Sequence, residues 1–321
     1  MPPSNEALSF EGVSHRFGAT RALRDLSLSV GRGEMFGLIG PDGAGKTTTI
    51  RIACGLLVPA SGRVKTLGLD PVREHRRLTE SIGYLSQRFS LYADLSIDEN
   101  VAFFAEIHGV RDYGPTRDRL LALTGLAPFR SRLAGKLSGG MKQKLALACT
   151  LVHAPDMVVL DEPTTGVDPV SRREFWKLLS EFLAQGITIL MATPYLDEAE
   201  RCARVALLHD GNLLALDTPS AIKGTMQGSL FEVIVADHRR AAALLRGIAG
   251  VTDVEMFGER AHVRTAAGAS LGVETLTRHL EGAGMAVESV RPIETSLEDV
   301  FIAQLTEAAD AAGRDSGQAP S

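Results

Sequence analysis

The segment Gly40-Pro-Asp-Gly-Ala-Gly-Lys-Thr47 has the residue types and the spacing of a loop that binds phosphate groups. It follows a short apolar run, residues 35–39, and precedes a predicted helix that starts near Thr48. Its glycines allow backbone N–H groups to turn toward phosphate oxygens, and the positive end of the following helix faces the same anion. Lys46 is expected to reach the β- and γ-phosphates, and the Thr47 hydroxyl to bind Mg²⁺. The predicted nucleotide contacts in this segment are Gly40, Asp42, Gly43, Ala44, Gly45, Lys46, Thr47 and Thr48.

Two adjacent carboxylates, Asp161 and Glu162, follow a second apolar run at residues 157–160. In a parallel sheet this position is the carboxyl edge, where ligands bind. We expect Asp161 to hold Mg²⁺ through water and Glu162 to orient and polarise an attacking water. Two acidic residues that start a loop would carry little weight alone, but the phosphate loop upstream favours this functional interpretation.

Composition limits the classes of protein to which the chain can belong. Its 321 residues suggest about two domains, and 45% hydrophobic with 23% charged residues is ordinary for a folded protein. The chain has 34 Lys and Arg against 39 Asp and Glu, a net charge of −5. This balance argues against a nucleic-acid binder, which would normally have a basic excess. No nucleic-acid partner is therefore predicted.

The sequence shows no pattern typical of a targeting signal, a membrane-spanning helix or a cysteine metal site. No stretch approaches the roughly 20 mostly apolar residues of a membrane-spanning helix, and the first residues do not resemble a signal peptide. Cys54, Cys149 and Cys202 are far apart and lack metal-ligand spacing. We interpret them as buried reduced thiols and expect a cytoplasmic protein.

Hydrophobic patterns predict the elements that position these groups. Strands are expected at residues 8–13, 26–30, 35–39, 157–160 and 187–191, and continuous apolar strands separated by helical stretches indicate an α/β fold with a parallel sheet. Residues 88–155 have helical periodicity and are interpreted as an inserted helical subdomain. An amphipathic helix is predicted at 171–185, with Asp168 as its N-cap and Pro169 in its first turn.

The pattern changes after about residue 224. Strands at 229–235, 251–256, 261–265 and 286–290, with helices at 239–248 and 271–281, predict a small α+β domain of βαββαβ order over residues 225–306. A final helix is expected to start near Thr295. The small, polar residues 307–321 are predicted to be a disordered tail.

A further motif, Leu137-Ser-Gly-Gly-Met-Lys-Gln143, starts a predicted helix with Ser138 as its N-cap. Two glycines in a first turn weaken a helix, which favours close approach to a ligand, although a simple capped helix remains an alternative. The order and spacing of all these motifs over residues 6–220 resemble the ATP-binding subunit of an ABC (ATP-binding-cassette) transporter.

The resemblance implies a P-loop ATPase cassette over residues 1–224, with a mixed sheet core, an antiparallel β subdomain and the helical subdomain. It also implies that two cassettes pair head to tail, so that Ser138, Gly139 and Gly140 contact ATP held by the partner's phosphate loop. Phe17 would stack on adenine, although a core Phe is the alternative. The implied catalytic residues are Glu162, Gln87 and Lys46, and the implied Mg²⁺ contacts are Thr47, Gln87 and Asp161.

The implied partners are a second cassette, in a homodimer or a heterodimer, and a multi-span permease on a separate chain, which would place the protein on the inner face of the cell membrane. Asp168 would act both as a helix cap and as a link across the dimer. Tyr84, Phe89 and Tyr92 lie near Gln87, where the family docks the permease, and ordinary core packing explains them about as well.

The match fails at one position after the predicted strand 187–191. The family normally has a histidine there that bonds the γ-phosphate, and this chain has Pro194, within Ala192-Thr-Pro-Tyr-Leu-Asp-Glu-Ala-Glu200. Proline has no side-chain donor and no backbone N–H. We therefore expect slow or asymmetric hydrolysis with ATP binding intact.

The C-terminal unit resembles the accessory domain of drug- and antibiotic-type ABC exporters, in particular through Thr295-Ser-Leu-Glu-Asp-Val-Phe301. The alternative is that this segment is an ordinary short amphipathic helix with no family-specific meaning. The leading hypothesis is therefore an exporter subunit in which ATP binding closes the dimer and hydrolysis reopens it. The alternatives are a regulatory ATP-binding module with weak hydrolysis, or a soluble cassette ATPase without a transport role.

Overall fold

The computed structural model describes residues 5–87 and 91–316, with side chains in the last helix described as far as residue 306. The chain divides into two compact units, Met1–Pro219 and Ser220–Ser321. This boundary precedes the one predicted at residue 224, because residues 220–224 of the short helix Pro219–Gly224 are grouped with the second unit.

The strands, in chain order, are β1 (Glu6–Phe17), β2 (Thr20–Gly31), β3 (Met35–Ile39), β4 (Ser61–Thr66), β5 (Ile82–Leu85), β6 (Met157–Asp161), β7 (Thr188–Thr193), β8 (Arg204–His209), β9 (Asn212–Asp217), β10 (Leu230–Val235), β11 (Val251–Phe257), β12 (Arg260–Thr265) and β13 (Val287–Ile293). The helices are α1 (Lys46–Ala53), α2 (His75–Thr79), α3 (Ile97–Ile107), α4 (Gly114–Leu123), α5 (Gly139–Leu151), α6 (Pro169–Ala184), α7 (Leu196–Ala199), α8 (Pro219–Gly224), α9 (His238–Arg246), α10 (Val273–Gly282) and α11 (Leu297–Ser316).

The described residues of the first unit form two sheets. A six-stranded sheet has the order β5-β6-β7-β3-β8-β9, in which only the β8–β9 pair is antiparallel. A three-stranded antiparallel sheet has the order β2-β1-β4. The predicted mixed sheet core and antiparallel β subdomain are therefore confirmed. The patterns did not predict β4, β5, β8 or β9; β4, for example, is mostly polar and exposed.

The register of the main sheet aligns the ends of its central strands. Ile39, the last residue of β3, pairs with Thr193 at the end of β7, and Asp161, the last residue of β6, pairs with Ala192. The phosphate loop, Glu162 and Pro194 follow these three neighbouring ends. Because parallel strands end at one edge, the sheet brings these three segments together.

Helices account for the regular structure of the described residues between β5 and β6, apart from one isolated bridge between Ser96 and Leu133. These helices are α3, α4 and α5, and two 3₁₀ turns, Ala127–Phe129 and Ala134–Lys136, lie between α4 and α5. The predicted helix near 171–185 is α6, and its cap is confirmed because an Asp168 carboxylate oxygen accepts hydrogen bonds from the N–H groups of Val170 and Ser171. Its predicted apolar stripe is buried: Phe175, Leu178, Leu179 and Phe182.

The second unit has the βαββαβ order that the sequence predicts. Its four strands form an antiparallel sheet in the order β11-β12-β10-β13, with an apolar core that includes residues of α9 and α10. The tail prediction is wrong for residues 307–316, which continue α11; the alanines at 308, 309, 311 and 312 have high helix propensity. Residues 317–321 lie outside the described part of the chain.

Two smaller expectations concern the thiols and the membrane. Cys54, Cys149 and Cys202 are free and buried, as predicted, and burial raises the pKa of the Cys54 and Cys202 thiols to about 12. Within residues 5–87 and 91–316, no helix is long and apolar enough to cross a membrane.

Candidate nucleotide-binding site

The phosphate loop connects the buried strand β3 to α1. Gly45 is the N-cap of α1 with a φ of 104°, a left-handed conformation that glycine adopts without strain. No side chain caps this helix, and its first turn has no acidic residue. The first N–H groups of a helix have no partner within the helix, so the start of α1 offers donors and a positive dipole end to an anion.

Lys46, the first residue of α1, is buried with 4% of its side chain exposed. Its Nζ donates hydrogen bonds to the carbonyl oxygens of Gly40 at 2.8 Å and Pro41 at 3.1 Å. Nζ also lies 3.3 Å from Oε1 of Glu162. The ammonium group therefore lies between the phosphate loop and the second carboxylate of the predicted pair.

Asp161 and Thr47 form a site of hard oxygen donors beside the loop. The Thr47 hydroxyl donates a hydrogen bond of 3.1 Å to Oδ1 of Asp161. Burial is the main cause that raises the pKa of Asp161, with a further contribution from the charge of Glu162. One carboxylate and one hydroxyl next to a phosphate site fit Mg²⁺, which commonly keeps several waters and binds phosphates with few protein ligands.

Glu162 lies directly after β6 and is 9% exposed. Its backbone has a φ of 51°, which is uncommon for a residue other than glycine, and its N–H donates to the Ala192 carbonyl at 2.9 Å. Oε2 of its carboxylate accepts hydrogen bonds from Nε2 of Gln87 at 2.9 Å and from the Thr165 hydroxyl at 3.4 Å. The structure thus brings together Lys46, Gln87 and Glu162, the three residues predicted to be catalytic.

The signature segment lies at the start of α5, where the Ser138 hydroxyl accepts a hydrogen bond from the N–H of Met141. A Cβ on Gly139 would meet nothing within 4 Å, whereas a Cβ on Gly140 would lie 2.2 Å from Oγ of Ser171 in α6. Close packing against Ser171 therefore explains why a residue without a side chain occupies position 140. Contact of Ser138, Gly139 and Gly140 with nucleotide on a second cassette stays a prediction.

Phe17 is half exposed at the end of β1, and its ring contacts that of His15 edge-on, with the ring centroids 4.7 Å apart. The β1–β2 turn and the phosphate loop face each other across a cleft of about 480 Å³ whose lining includes Ala19, Thr20 and Gly43. A half-exposed ring does not fit the core alternative and suits stacking on a base.

The aromatic residues near Gln87 differ in their surroundings. The Tyr84 hydroxyl lies 3.5 Å from Oδ2 of Asp161, and burial raises the pKa of Tyr84 to about 12, which favours packing for this residue. Tyr92 is half exposed and packs against the ring of Phe103. Phe89 lies outside the described residues.

Pro194 follows β7 directly, in a bend before α7. The residues around it bind one another: the Thr193 hydroxyl accepts a hydrogen bond from the Tyr195 N–H at 3.1 Å and donates one to Oε2 of Glu198 at 2.7 Å. Sequence reasoning gave no role to Glu198 or to Thr164, which also donates to it. The same short segment contains the exposed Asp197 and Glu200, so the sequence carries no signal that distinguishes Glu198 from them.

The fold and this site define a P-loop ATPase cassette, and comparison with known proteins gives the family. The ABC transporter family model matches residues 23–165. A solved structure titled "Structure of ATP binding subunit of ABC transporter" superimposes with a TM-score of 0.63 at 31% identity, over 68% of this chain and 92% of that one. A second structure, cbiO1 from Clostridium perfringens, gives a TM-score of 0.63 at 29% identity over 69% and 92%.

Curated relatives of this chain are also ATP-binding proteins. The daunorubicin resistance ATP-binding protein DrrA2 of Streptomyces coeruleorubidus is 36% identical over 305 residues, 92% of this chain and 94% of that protein. The Nod factor export ATP-binding protein I of Rhizobium sp. (strain N33) is 36% identical over 304 residues, 93% and 97%. The protein named "Probable multidrug ABC transporter ATP-binding protein YbhF" of Escherichia coli (strain K12) is 44% identical over 247 residues. That match covers 76% of this chain, which spans only 43% of the length of that relative. The chain belongs to the family of ABC transporter ATP-binding subunits.

Proposed function

We propose that this chain binds and hydrolyses ATP to power a separate membrane permease that exports a drug-like, antibiotic or lipid compound. The observation that carries the proposal is the convergence of Lys46, Gln87 and Glu162 beside the uncapped start of α1. The names of the relatives, which refer to multidrug transport, daunorubicin resistance and Nod factor export, support the choice of export.

The phosphate loop performs the binding step. The N–H groups at the start of α1 and the Lys46 ammonium neutralise the β- and γ-phosphates of ATP, and Phe17 stacks on adenine. Thr47 and Asp161, with Gln87, hold Mg²⁺, which when bound supplies positive charge to the phosphate oxygens. Ser138, Gly139 and Gly140 of a second cassette, in a homodimer or a heterodimer, complete the site.

Glu162 performs the chemical step. The carboxylate orients a water molecule and accepts its proton while the water attacks the γ-phosphorus and ADP leaves. Lys46 pairs with Glu162 at 3.3 Å, and a phosphate anion competes for the same ammonium. ATP binding therefore frees one oxygen of Glu162 to act as the base. Gln87 holds the other oxygen and links the site to the permease.

Pro194 favours a second candidate function, that of an ATP-binding subunit with weak hydrolysis. Proline cannot donate a hydrogen bond to the γ-phosphate, and the Thr193 hydroxyl beside it is already bonded to Glu198. Under this candidate a partner cassette supplies the stronger site. In both cases the chain acts at the cytoplasmic face of a membrane.

The test is to establish whether a gene beside that of this chain encodes a multi-span membrane protein, and then to co-express the two chains and purify the complex. Co-purification, and an ATPase rate that changes when the complex is reconstituted in lipid vesicles, support the proposal. A chain that binds MgATP but neither associates with that membrane protein nor changes its rate contradicts the transport role.

A further inference from the structure

Glu198 is a buried carboxylate that the proposed chemistry does not use. It lies in α7 with 1% of its residue surface exposed. Oε1 accepts a short hydrogen bond from the Thr164 hydroxyl, and Oε2 accepts one of 2.7 Å from the Thr193 hydroxyl. Nε of Arg172 in α6 lies 3.8 Å from Oε1, too far for a hydrogen bond but close enough for charge pairing. A buried charge is costly unless it is paired and hydrogen-bonded, and these three partners satisfy that condition.

The partners of Glu198 belong to three different segments of the chain. Thr164 is two residues after Glu162, Thr193 ends β7 directly before Pro194, and Arg172 is in the first turns of α6. Arg172 also packs over the Tyr195 ring, with its guanidinium carbon 4.8 Å from the ring centroid. Glu198 therefore joins the loop after Glu162 to the segment that carries Pro194.

The loop that Glu198 holds has a strained backbone at Glu162. A residue other than glycine at a φ of 51° has a strained backbone, which persists only where its surroundings fix it. The Glu162 N–H bond to Ala192 fixes one side of the residue. On the other side the Thr164 hydroxyl is bound to Glu198, and its neighbour Thr165 places a hydroxyl 3.4 Å from Oε2 of Glu162.

We propose that Glu198 is a positioning residue for hydrolysis, which acts through Thr164 to hold the Glu162 carboxylate in its reactive orientation. The inference rests on the proposed role of Glu162 as the base. It gives the segment around Pro194 a function that does not need a side-chain donor at position 194. Glu198 touches neither the phosphate loop nor Lys46 among the described contacts, so its effect should fall on the rate of hydrolysis and not on ATP affinity.

The test compares a pair of substitutions at Thr164. Thr164→Val removes the hydroxyl and keeps the shape, whereas Thr164→Ser keeps the hydroxyl. We expect Thr164→Val to lower kcat by about 10- to 100-fold, the scale of a misplacement of about 1 Å, while the Kd for MgATP changes less than about 2-fold. Thr164→Ser should restore most of the rate. Glu198→Ala should resemble Thr164→Val, and if that variant does not fold, the threonine pair decides.

Asp197→Asn is the matched control. Asp197 lies in the same short helix, is 73% exposed and is 3.8 Å from Arg172, but makes no described contact with Thr164 or Thr193. Its substitution should leave kcat unchanged. Equal kcat values for wild type, Thr164→Val and Glu198→Ala would overturn the inference, as would a loss of ATP affinity parallel to the loss of rate. A wild-type chain with no hydrolysis that depends on Glu162 would overturn the proposed function, and this inference with it.

Discussion

Nε2 of Gln87 donates a hydrogen bond of 2.9 Å to the Glu162 carboxylate, although 75 positions separate the two residues in the sequence. Because Gln87 follows β5 and Glu162 follows β6, two neighbouring strands of the main sheet bring them together. A bond to a charged acceptor contributes about 1.5–3 kcal/mol, enough to fix which carboxylate oxygen faces the reacting water.

Gln87→Ala removes this donor without adding bulk. We expect kcat to fall by about 10-fold or more, since the Glu162 carboxylate loses one of its restraints, while the Kd for ATP in the absence of Mg²⁺ stays near the wild-type value. Phosphate release at saturating MgATP and equilibrium nucleotide binding measure the two quantities. An unchanged kcat would show that the bond has no role in hydrolysis.

Gly140→Ala tests why a glycine occupies the first turn of α5. Its Cβ would lie 2.2 Å from Oγ and 2.5 Å from Cβ of Ser171, so we expect a loss of about 1–3 kcal/mol in the free energy of unfolding. Gly139→Ala is the matched control, because its Cβ meets nothing and Ala favours a helix; its stability should not fall. Ser171→Gly should rescue Gly140→Ala in thermal unfolding. Equal stability of the two alanine variants would contradict the packing account.

Pro194→His adds the side-chain donor that the resemblance to ABC cassettes leads us to expect at this position. If the missing donor limits hydrolysis, the steady-state ATPase rate should rise in this variant, with ATP affinity unchanged. The comparison needs Glu162→Gln as the inactive reference. Comparable rates in wild type and Pro194→His, both well above Glu162→Gln, would show that this cassette hydrolyses ATP efficiently without the histidine.

The second unit should lose stability as the pH rises. Burial, followed by the charges of Asp253 and Asp299, raises the pKa of Glu255 from 4.5 to about 7, while Arg264 acts in the opposite direction. A pKa that is higher in the folded chain than in the unfolded chain stabilises the fold fully below pH 4.5, and this contribution is lost as the pH rises through about 7.

Glu255→Gln should therefore flatten the pH dependence of unfolding between pH 4.5 and 7. Calorimetry of the full chain across this range measures it, and the exposed Glu259 in the adjacent turn supplies the control variant Glu259→Gln. A wild-type chain and a Glu255→Gln variant with parallel curves would contradict the raised pKa.

The sequence motifs predicted which residues converge better than they predicted the sheets. The spacing of Gly40 to Thr47 and the position of Asp161 at the end of an apolar run were sufficient to predict that these segments meet, because they lie at the ends of parallel strands at one edge of the sheet. The patterns missed β4, because most of its residues are polar and exposed. This strand is held by backbone pairing with β1, which leaves no hydrophobic pattern in the sequence. They also gave Glu198 no role, since its partners at 164, 172 and 193 are brought together only by the tertiary fold.

In the proposed function, Lys46 binds the phosphates of ATP and Glu162 activates the water that attacks the terminal one. The most direct measurement follows bound nucleotide and released phosphate in parallel for wild type, Glu162→Gln and Lys46→Ala. We predict that wild type binds ATP and releases phosphate, that Glu162→Gln binds ATP but releases phosphate about 10²- to 10⁴-fold more slowly, and that Lys46→Ala loses binding. Phosphate release by Glu162→Gln at the wild-type rate, or full ATP affinity in Lys46→Ala, would contradict the account.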